Sequence, residues 1–336
     1  MKKILMIGTG GTIASEMTDA GLTPELTSKQ LIRYVPKIEE LCYVDCLQIC
    51  NIDSTNMQPS HWLLMEQTLE QNYSDYDGFV LSHGTDTMAY TAAALSYLVQ
   101  NSSKPIVITG AQKPINSDNS DSRVNLLDSF VAATADAMHG VVVVFNGRAI
   151  LGTRAKKTRS KSFSAFSSIN YPEIAAIRDQ HLFQYIEPKT ELPLRFYRKL
   201  GKNVGLLKLI PGTSPDVLSY FLDLHDALII ESFGVGGIPS TEDNRFYTLI
   251  EHAIANGKTV VMTTQVENEG SDLAIYRVGH ELKTRLPVLE AYDMTTEAVV
   301  TKLMWILGIT NDADSIRKLF YQPIGHDILT TNELID

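Results

Sequence analysis

The chain has 336 residues, of which 44% are hydrophobic, 20% are charged and 21 are glycine, a composition that excludes a disordered chain. A single hydrophobic core stops growing at about 250–300 residues, so this length excludes a small module and predicts two packed domains. The 29 basic and 39 acidic residues give a net charge of −10, which repels phosphate backbones and anionic lipids, and we expect neither a nucleic-acid nor a membrane partner.

The start of the chain imitates a signal peptide, but the apolar run of residues 4–7 is shorter than the ~7–15 residues that such a peptide requires. No run approaches the length of a membrane span. Cys42, Cys46 and Cys50 share one face of a strand or helix, and no matching His or Cys cluster accompanies them. This pattern favours buried thiols over a metal site and fits a reducing cytoplasm best.

Short apolar runs recur along the chain, each bounded by glycine or polar residues. They lack the alternation of a half-exposed sheet, so they predict buried parallel strands. The runs are residues 4–7, 79–81, 106–108, 141–145, 206–210, 228–230 and 260–262. Helical patterns lie between them, such as the apolar stripe of Met88, Ala92, Leu95 and Val99. The alternation predicts an α/β fold of two doubly wound domains with mainly parallel sheets, which bind ligands at the carboxyl ends of strands.

Residues 188–202 interrupt this rhythm, because they are rich in charge and include Pro188 and Pro193. We place a linker there. The sequence therefore predicts an N-terminal α/β domain over residues 1–187 and a C-terminal α/β domain over residues 203–336.

The first predicted strand ends in Gly8-Thr9-Gly10-Gly11-Thr12. A dinucleotide-binding fingerprint requires a third glycine where Ile13 stands, so nucleotide binding is not favoured. The glycines let a ligand approach the backbone closely, and Thr12 offers a hydroxyl at the strand exit. The local pattern leaves two roles open for Thr12, a nucleophile or a helix cap. The polar residues 15–28 that follow are suited to a mobile lid.

A second polar segment, His83-Gly84-Thr85-Asp86-Thr87, leaves a strand and starts the Met88 helix. Backbone amides at a helix N-terminus stabilise negative charge, which suits a binding site. Capping of the helix by Thr85 or Asp86 is the simpler alternative. For His83 the pattern favours a packed, hydrogen-bonded residue over a base, and the polar loop of residues 51–56 is, by itself, compatible with any turn.

Six basic residues lie between positions 148 and 161, namely Arg148, Arg154, Lys156, Lys157, Arg159 and Lys161. In an acidic protein such a cluster favours a solvated rim or ion pairs. The functional alternative requires one lysine buried beside an acid, where desolvation lowers its pKa enough for it to act as a base near neutrality.

Taken together, Thr9-Gly10-Gly11-Thr12-Ile13-Ala14 and His83-Gly84-Thr85-Asp86-Thr87 resemble the two signatures of the bacterial asparaginase family. The resemblance extends over nearly the whole chain and is closest to the cytoplasmic type I L-asparaginases. It implies hydrolysis of the side-chain amide of L-asparagine to L-aspartate and ammonia, with neither a metal nor an organic cofactor. It also implies a homodimer or homotetramer, whose active sites lie between subunits.

The same resemblance implies a role for each motif residue. Thr12 would be the primary nucleophile, which forms a covalent acyl-enzyme. Thr85 would be the second catalytic threonine, and Lys157 and Asp86 would complete its hydrogen-bonded group. An unactivated amide needs such a nucleophile, and a threonine hydroxyl becomes one when a neighbouring group takes its proton.

The substrate-binding residues follow from the resemblance in the same way. Ser54, with Thr55 beside it, and Asp86 would bind the α-carboxylate and α-amino ends of the substrate. The backbone carbonyl of Ala111 would hold the side-chain amide.

The lid departs from the family pattern, because many members carry a tyrosine where this chain has Leu22 beside Gly21. We expect this lid to exclude water and hold the substrate, with Thr23 or a water molecule supplying the hydroxyl beside Thr12. Two other functions remain open, an asparaginase-like subunit of an archaeal amidotransferase acting on glutamyl-tRNA and a non-catalytic amino-acid-binding module.

Overall fold

A computed structural model describes residues 1–18, 21–188 and 191–329 of the chain. The chain divides into two compact units, Met1–Arg198 and Lys199–Asp336. Both units are built from helices and mainly parallel sheets, which confirms the predicted α/β class. The division falls inside the segment 188–202, where the sequence places a linker, and the exact bounds of that linker stay a prediction.

The strands of the first unit are β1 (Lys3–Gly10), β2 (Ser15–Thr18), β3 (Gly21–Pro24), β4 (Tyr43–Ile52), β5 (Gly78–Ser82), β6 (Val99–Gln100), β7 (Pro105–Thr109), β8 (Gly140–Phe145), β9 (Arg148–Leu151), β10 (Ala155–Lys157), β11 (Phe166–Ser168), β12 (Ala175–Arg178), β13 (His181–Gln184) and β14 (Arg195–Phe196). Its helices are α1 (Ser28–Arg33), α2 (Ile38–Leu41), α3 (Pro59–Asn72), α4 (Met88–Leu98) and α5 (Ser122–Ala133), with short 3-10 helices at Thr12–Ala14 and Ser54–Asn56.

The main sheet of this unit has the order β13-β12-β9-β8-β7-β5-β1-β4. Strands β4, β1, β5, β7 and β8 are parallel, while β9, β12 and β13 extend one edge in antiparallel pairs. Among the described residues, the two-stranded sheets β2–β3, β10–β11 and β6–β14 lie outside it. The chain places β4 on one side of β1 and β5 on the other, which creates a change of winding direction beside β1.

The central strands are buried on both faces, as their unbroken apolar runs predict. Ile4, Met6, Val80 and Val107 pack in one cluster with Phe130 of α5. The neighbouring strand residues that point to the opposite face are equally inaccessible to solvent. Helices therefore cover both sides of the sheet, and its polar chemistry is confined to the ends of the strands.

The second unit contains strands β15 (Val204–Lys208), β16 (Ala227–Ser232), β17 (Thr259–Thr264) and β18 (Leu289–Glu290), and helices α6 (Pro215–Leu224), α7 (Thr241–Ala255), α8 (Arg277–Arg285), α9 (Thr296–Leu307) and α10 (Ala313–Tyr321). The strands form a parallel sheet in chain order. The run predicted over residues 206–210 is displaced by two residues, since the strand ends at Lys208 and Ile210 is exposed.

A buried ion pair secures the end of the second unit. Lys302 Nζ on α9 lies 2.7 Å from Asp327 Oδ2, and both side chains are fully inaccessible to solvent. Lys302 also donates to the Gln322 carbonyl at 2.8 Å, and Asp327 Oδ1 accepts from the backbone N–H of Ile324 at 2.9 Å. The pair thus holds the segment after α10 against α9.

We expect Asp327→Asn to lower the free energy of unfolding by about 3–5 kcal/mol, because it leaves the Lys302 ammonium buried without its counter-charge. Urea unfolding measures the change. Asp216→Asn is the matched control, because Asp216 and Arg245 form an ion pair on the surface of the same unit, and it should cost less than about 1 kcal/mol. Equal losses in the two variants would contradict the assignment.

Candidate active site

The carboxyl ends of three neighbouring strands are aligned in register. Gly8 of β1 pairs with Ser82 of β5, and Ser82 pairs with Thr109 of β7. Beyond these residues, Thr9 Oγ1 donates to the Ser82 carbonyl at 2.7 Å, and the backbone N–H of His83 donates to the Thr109 carbonyl at 2.8 Å. The polar segments that follow all three strands therefore emerge side by side at one edge of the sheet.

Two glycines bring the first of these segments against the second. Gly10 and Gly11 have φ values of +102° and +81°, which favour glycine. The N–H of Gly11 donates to the Ile52 carbonyl at 3.0 Å. A Cβ atom on Gly11 would overlap the backbone of Gly84. The turn that carries Thr12 is thus packed directly on the turn that carries Thr85.

Thr12 is the first residue of the 3-10 helix Thr12–Ala14, and Gly11 occupies the capping position. The alternative role of Thr12 as a helix cap therefore does not apply to this helix. The side chain is partly exposed, whereas the following residues Ile13 and Ala14 are buried. Thr12 therefore lies just after the carboxyl end of β1 and is partly accessible to solvent.

Thr85, Asp86 and Lys157 form one hydrogen-bonded group. Lys157 Nζ donates to Thr85 Oγ1 at 2.8 Å and to Asp86 Oδ1 at 2.6 Å. The side chains of Lys157 and Asp86 are 16% and 57% exposed, and Thr85 is buried. The capping position of α4 belongs to Thr87, so capping does not explain Thr85 or Asp86. The structure brings together three of the four residues to which the sequence assigns catalysis.

The small β10–β11 hairpin positions Lys157. Lys157 pairs with Phe166, and Lys156 pairs with Ser167. Successive residues of a strand point to opposite faces, so only one of the two adjacent lysines is directed at Thr85. The sequence pattern could not tell them apart without the resemblance.

The arginines of the basic cluster differ in their surroundings. Arg148 forms an ion pair with Glu173 at 2.7 Å, and Arg159 is exposed and donates to the Ser164 carbonyl. Arg154, by contrast, is fully buried with its guanidinium 5.7 Å from the centre of the Tyr171 ring. Part of the cluster is a solvated rim, and part is internal.

Ala111 is fully buried in the segment after β7. Next to it, the Gly110 carbonyl accepts from Asn125 Nδ2 at 3.0 Å. Gln112 Oε1 accepts from Thr85 Oγ1 at 3.4 Å, and its backbone N–H donates to Asp121. Gln112 is the last residue of the polar tail Thr109-Gly110-Ala111-Gln112 that the sequence predicts at the site, whereas the sequence patterns did not single out Asp121 or Asn125.

Ser54 and Thr55 differ in their surroundings. Ser54 is buried, and a Cβ atom on Gly84 would overlap its side chain. Its carbonyl accepts from Thr87 Oγ1 at 2.8 Å. Thr55 is exposed, and its hydroxyl donates to Asp53 Oδ1 at 2.9 Å. Ser54 is thus the member of the pair that lies against the Thr85 turn.

His83 is fully buried, and both of its ring nitrogens are engaged. Nδ1 lies 2.7 Å from the Gly84 carbonyl, which can only accept, so Nδ1 carries the proton. Nε2 then accepts from Thr91 Oγ1 at 2.9 Å, and Thr91 accepts from Trp62 Nε1 at 2.9 Å. Burial lowers the pKa of His83 to about 4. This geometry matches a packed residue that holds the turn before Thr85.

Within the stretch predicted as a lid, β2 and β3 pair antiparallel with Met17 opposite Leu22, and residues 19 and 20 lie outside the described residues. The stretch is joined to the site at its base, where Ser15 Oγ donates to the Gly11 carbonyl at 3.0 Å. Asn51 Nδ2 donates to the Pro24 carbonyl at 2.8 Å. The side chain of Leu22 lies outside the described part of the structure, while Thr23 is exposed. The lid roles stay predictions.

Within residues 1–18, 21–188 and 191–329, no three His, Cys, Asp or Glu side chains are grouped as metal ligands would be. The three cysteines are free, and burial raises their pKa values, that of Cys42 to about 11. No helix in the described part of the chain is long and apolar enough to cross a membrane.

The burial of neutral His83 predicts how the free energy of unfolding changes at acid pH. The unfolded imidazole takes up a proton as pH falls below about 6.5, whereas the folded one resists until about 4. The stability contributed by neutral His83 is therefore present above pH 6.5 and is lost as pH falls toward 4, by up to about 1.4 kcal/mol per pH unit. We expect His83→Gln, measured by urea unfolding from pH 7 to 4, to remove this part of the slope.

Exposed His181 provides the control, since His181→Gln should leave the slope unchanged. Burial also raises the pKa of Glu66, to about 7, so this carboxyl contributes an opposite slope of stability against pH over the same range. Glu66 is present in the unmodified protein and in both histidine variants, so its contribution cancels when their slopes are compared. An unchanged slope in His83→Gln would contradict the assignment.

The comparisons with known proteins agree with this architecture. Residues 3–190 match the family model for the asparaginase N-terminal region, and residues 203–320 match that for the glutaminase/asparaginase C-terminal domain. The L-asparaginase of Thermococcus kodakarensis is 38% identical over 97% of this chain and 99% of its own length. Its solved structure aligns with a TM-score of 0.92 at 37% identity and covers 98% of this chain and 100% of that one.

Another relative carries a different name. A glutamyl-tRNA(Gln) amidotransferase component from Pyrococcus abyssi is 33% identical over 98% of this chain and 77% of its own length. L-asparaginase 1 of Escherichia coli K12 is also 33% identical, over 97% of this chain and 98% of its own length. Both family models and the near full-length similarity establish that this chain belongs to the asparaginase family.

Proposed function

We propose that this protein is an L-asparaginase, which hydrolyses L-asparagine to L-aspartate and ammonia through a threonine nucleophile and an acyl-enzyme. The observation that carries the proposal is the contact of Lys157 Nζ with both Thr85 Oγ1 and Asp86 Oδ1, in a turn packed on the Thr12 turn. Family membership supports the reaction class.

In the first step, Thr12 Oγ attacks the carbonyl carbon of the side-chain amide, and its proton passes to the leaving nitrogen. The new C–O bond replaces the C–N bond, and ammonia departs. Negative charge that develops on the carbonyl oxygen needs fixed donors, which the glycine-rich backbone around Thr12 can supply. Loss of one such donor typically costs on the order of 3 kcal/mol in the barrier.

In the second step, water attacks the ester carbon and Thr12 is released with L-aspartate. The Thr85 hydroxyl is the candidate group for orienting this water. The Lys157 ammonium fixes the Thr85 oxygen, and its positive charge favours a shift of electron density onto that oxygen. Asp86 holds Lys157 in place, so the three residues act as a unit.

The substrate ends can be assigned from charge and exposure. Asp86 is more than half exposed while one oxygen binds Lys157, so the carboxylate retains the capacity to bind the substrate ammonium. Ser54, against the same turn, would contact the α-carboxylate, with Thr55 beside it. The carbonyl of Ala111 would accept from the side-chain amide. No metal or organic cofactor enters this scheme.

The similarity to a glutamyl-tRNA(Gln) amidotransferase component raises a second candidate function, an amidotransferase component that works with tRNA and partner proteins. Ammonia release from free L-asparagine, measured without tRNA or any partner protein, supports the asparaginase. No release with L-asparagine, together with intact binding of the amino acid, would favour the non-catalytic binding module instead.

We also propose a cytoplasmic location and self-association as a homodimer or homotetramer. Light scattering of the purified active protein tests the assembly. Full specific activity in a monomer would contradict it.

Thr12→Ala should lower kcat by at least about a thousandfold, because it removes the attacking oxygen from a small side chain and little else. We expect asparagine binding, measured by calorimetry, to remain within a few fold. Thr12→Ser is the control, since it keeps a hydroxyl at the same carbon and should retain more activity. Near-normal turnover in Thr12→Ala would refute the nucleophile.

Lys157→Met should lower kcat by about a hundredfold to ten-thousandfold, since Thr85 and Asp86 lose their shared partner. The neighbouring Lys156→Met removes the same charge from the opposite face of the strand and should have a mild effect. Steady-state kinetics of both variants provide the test. If Lys156→Met lowered kcat more than Lys157→Met, the assignment of Lys157 to the site would be wrong.

A further inference from the structure

A cleft of about 720 Å³ lies on helix α3, and none of the residues that line it belongs to the proposed active site. Its lining consists of six polar side chains and two leucines, Leu63 and Leu64. All lie in the first unit, mostly on one face of α3. A cleft of this size accommodates a small organic molecule.

The wall of this cleft contains a buried acid. Glu66 is only 1% exposed, and its Oε1 atom has no hydrogen-bond partner among the described residues. A buried carboxylate oxygen without a donor is costly, and native structures normally satisfy such groups. Glu66 is one of the residues that line the cleft, so a ligand bound there lies beside this side chain.

The other charged groups that line the cleft compensate each other. Arg198, from the segment after β14, donates through Nε to Glu70 Oε2 at 2.7 Å and through Nη2 to Glu70 Oε1 at 2.5 Å. This two-pronged pair uses two of the five N–H groups of the guanidinium and balances its charge against Glu70, so the charged groups described in the lining leave no unpaired cation. The net charge that remains is that of Glu66.

We propose that this cleft binds a small aliphatic ammonium ion, whose N–H groups donate to Glu66 and whose alkyl chain lies against Leu63 and Leu64. An ammonium supplies both the missing donor and the missing positive charge. A neutral alcohol supplies only a weaker donor, and a carboxylate is repelled. The site is separate from the proposed asparaginase chemistry and does not depend on it.

The ionisation of Glu66 gives the site a pH dependence. Burial, reinforced by the nearby Glu70 charge and opposed by Arg198, raises the pKa of Glu66 to about 7. Helix α4, which packs against α3, has no charged residue. The ammonium binds the ionised carboxylate, so its affinity rises as pH increases through 7. Between pH 6 and pH 8 we expect about a tenfold gain.

Calorimetric titration of the intact protein with butylammonium chloride tests the proposal, with butan-1-ol and sodium butyrate as matched probes. We expect saturable binding of butylammonium at pH 8, weaker binding at pH 6, and no binding of the alcohol or the carboxylate. Glu66→Gln should weaken butylammonium binding at least tenfold. Glu40→Gln, which removes an exposed acid elsewhere, should not.

Arg198→Gln distinguishes a cation site from an anion site. The substitution releases Glu70 and adds a second free carboxylate, so butylammonium should bind more tightly. Absence of saturable butylammonium binding at pH 8, unchanged affinity in Glu66→Gln, or tighter binding of butyrate would each overturn the proposal. Thermal melting of Glu66→Gln, which removes a buried charge, should show a folded protein.

Discussion

The proposed active site depends on the close approach of two backbone turns. Gly11 has no side chain, so the turn after β1 packs directly on the backbone of the turn after β5. The paired strands set the level at which both turns begin, since Gly8 and Ser82 are register partners. Any side chain at Gly11 would separate Thr12 from the Thr85 group.

The strands and the site edge could be predicted from the sequence for a simple physical reason. Strands such as Phe79–Leu81 are buried on both faces and therefore appear as unbroken apolar runs, and parallel strands place their polar tails together. The strand β4, at the sheet edge, alternates between exposed and partly buried residues and was not among the predicted runs. The antiparallel edge of β9, β12 and β13 also went unpredicted, because local patterns do not encode strand direction.

The site residues divide along similar lines. Thr12, Thr85 and Asp86 lie in glycine-rich tails that the sequence makes conspicuous, whereas Lys157 was singled out from Lys156 by resemblance alone. Gln112 and Asp121 meet through the fold, nine residues apart, and their contact follows no spacing rule. Glu66 looks like an ordinary helix residue, and only its burial sets it apart.

The buried titratable groups of the first unit show how one fold handles charge in two ways. His83 avoids the cost of burial by remaining neutral, and its hydrogen bonds to Gly84 and Thr91 fit the neutral ring. Glu66 has no such partner for its Oε1 atom among the described residues. His83 supports the turn before Thr85, whereas Glu66 lines the cleft on α3.

The Lys157 contacts span long stretches of chain, since its partners Thr85 and Asp86 are 72 and 71 residues away. Contacts between residues so far apart in sequence form only when the long intervening loop closes, which costs entropy and slows folding. The β10–β11 hairpin that supplies Lys157 is also outside the main sheet. During refolding, the Lys157 group would be complete only after the hairpin docks on the finished sheet, so the recovery of catalysis would lag behind the recovery of secondary structure.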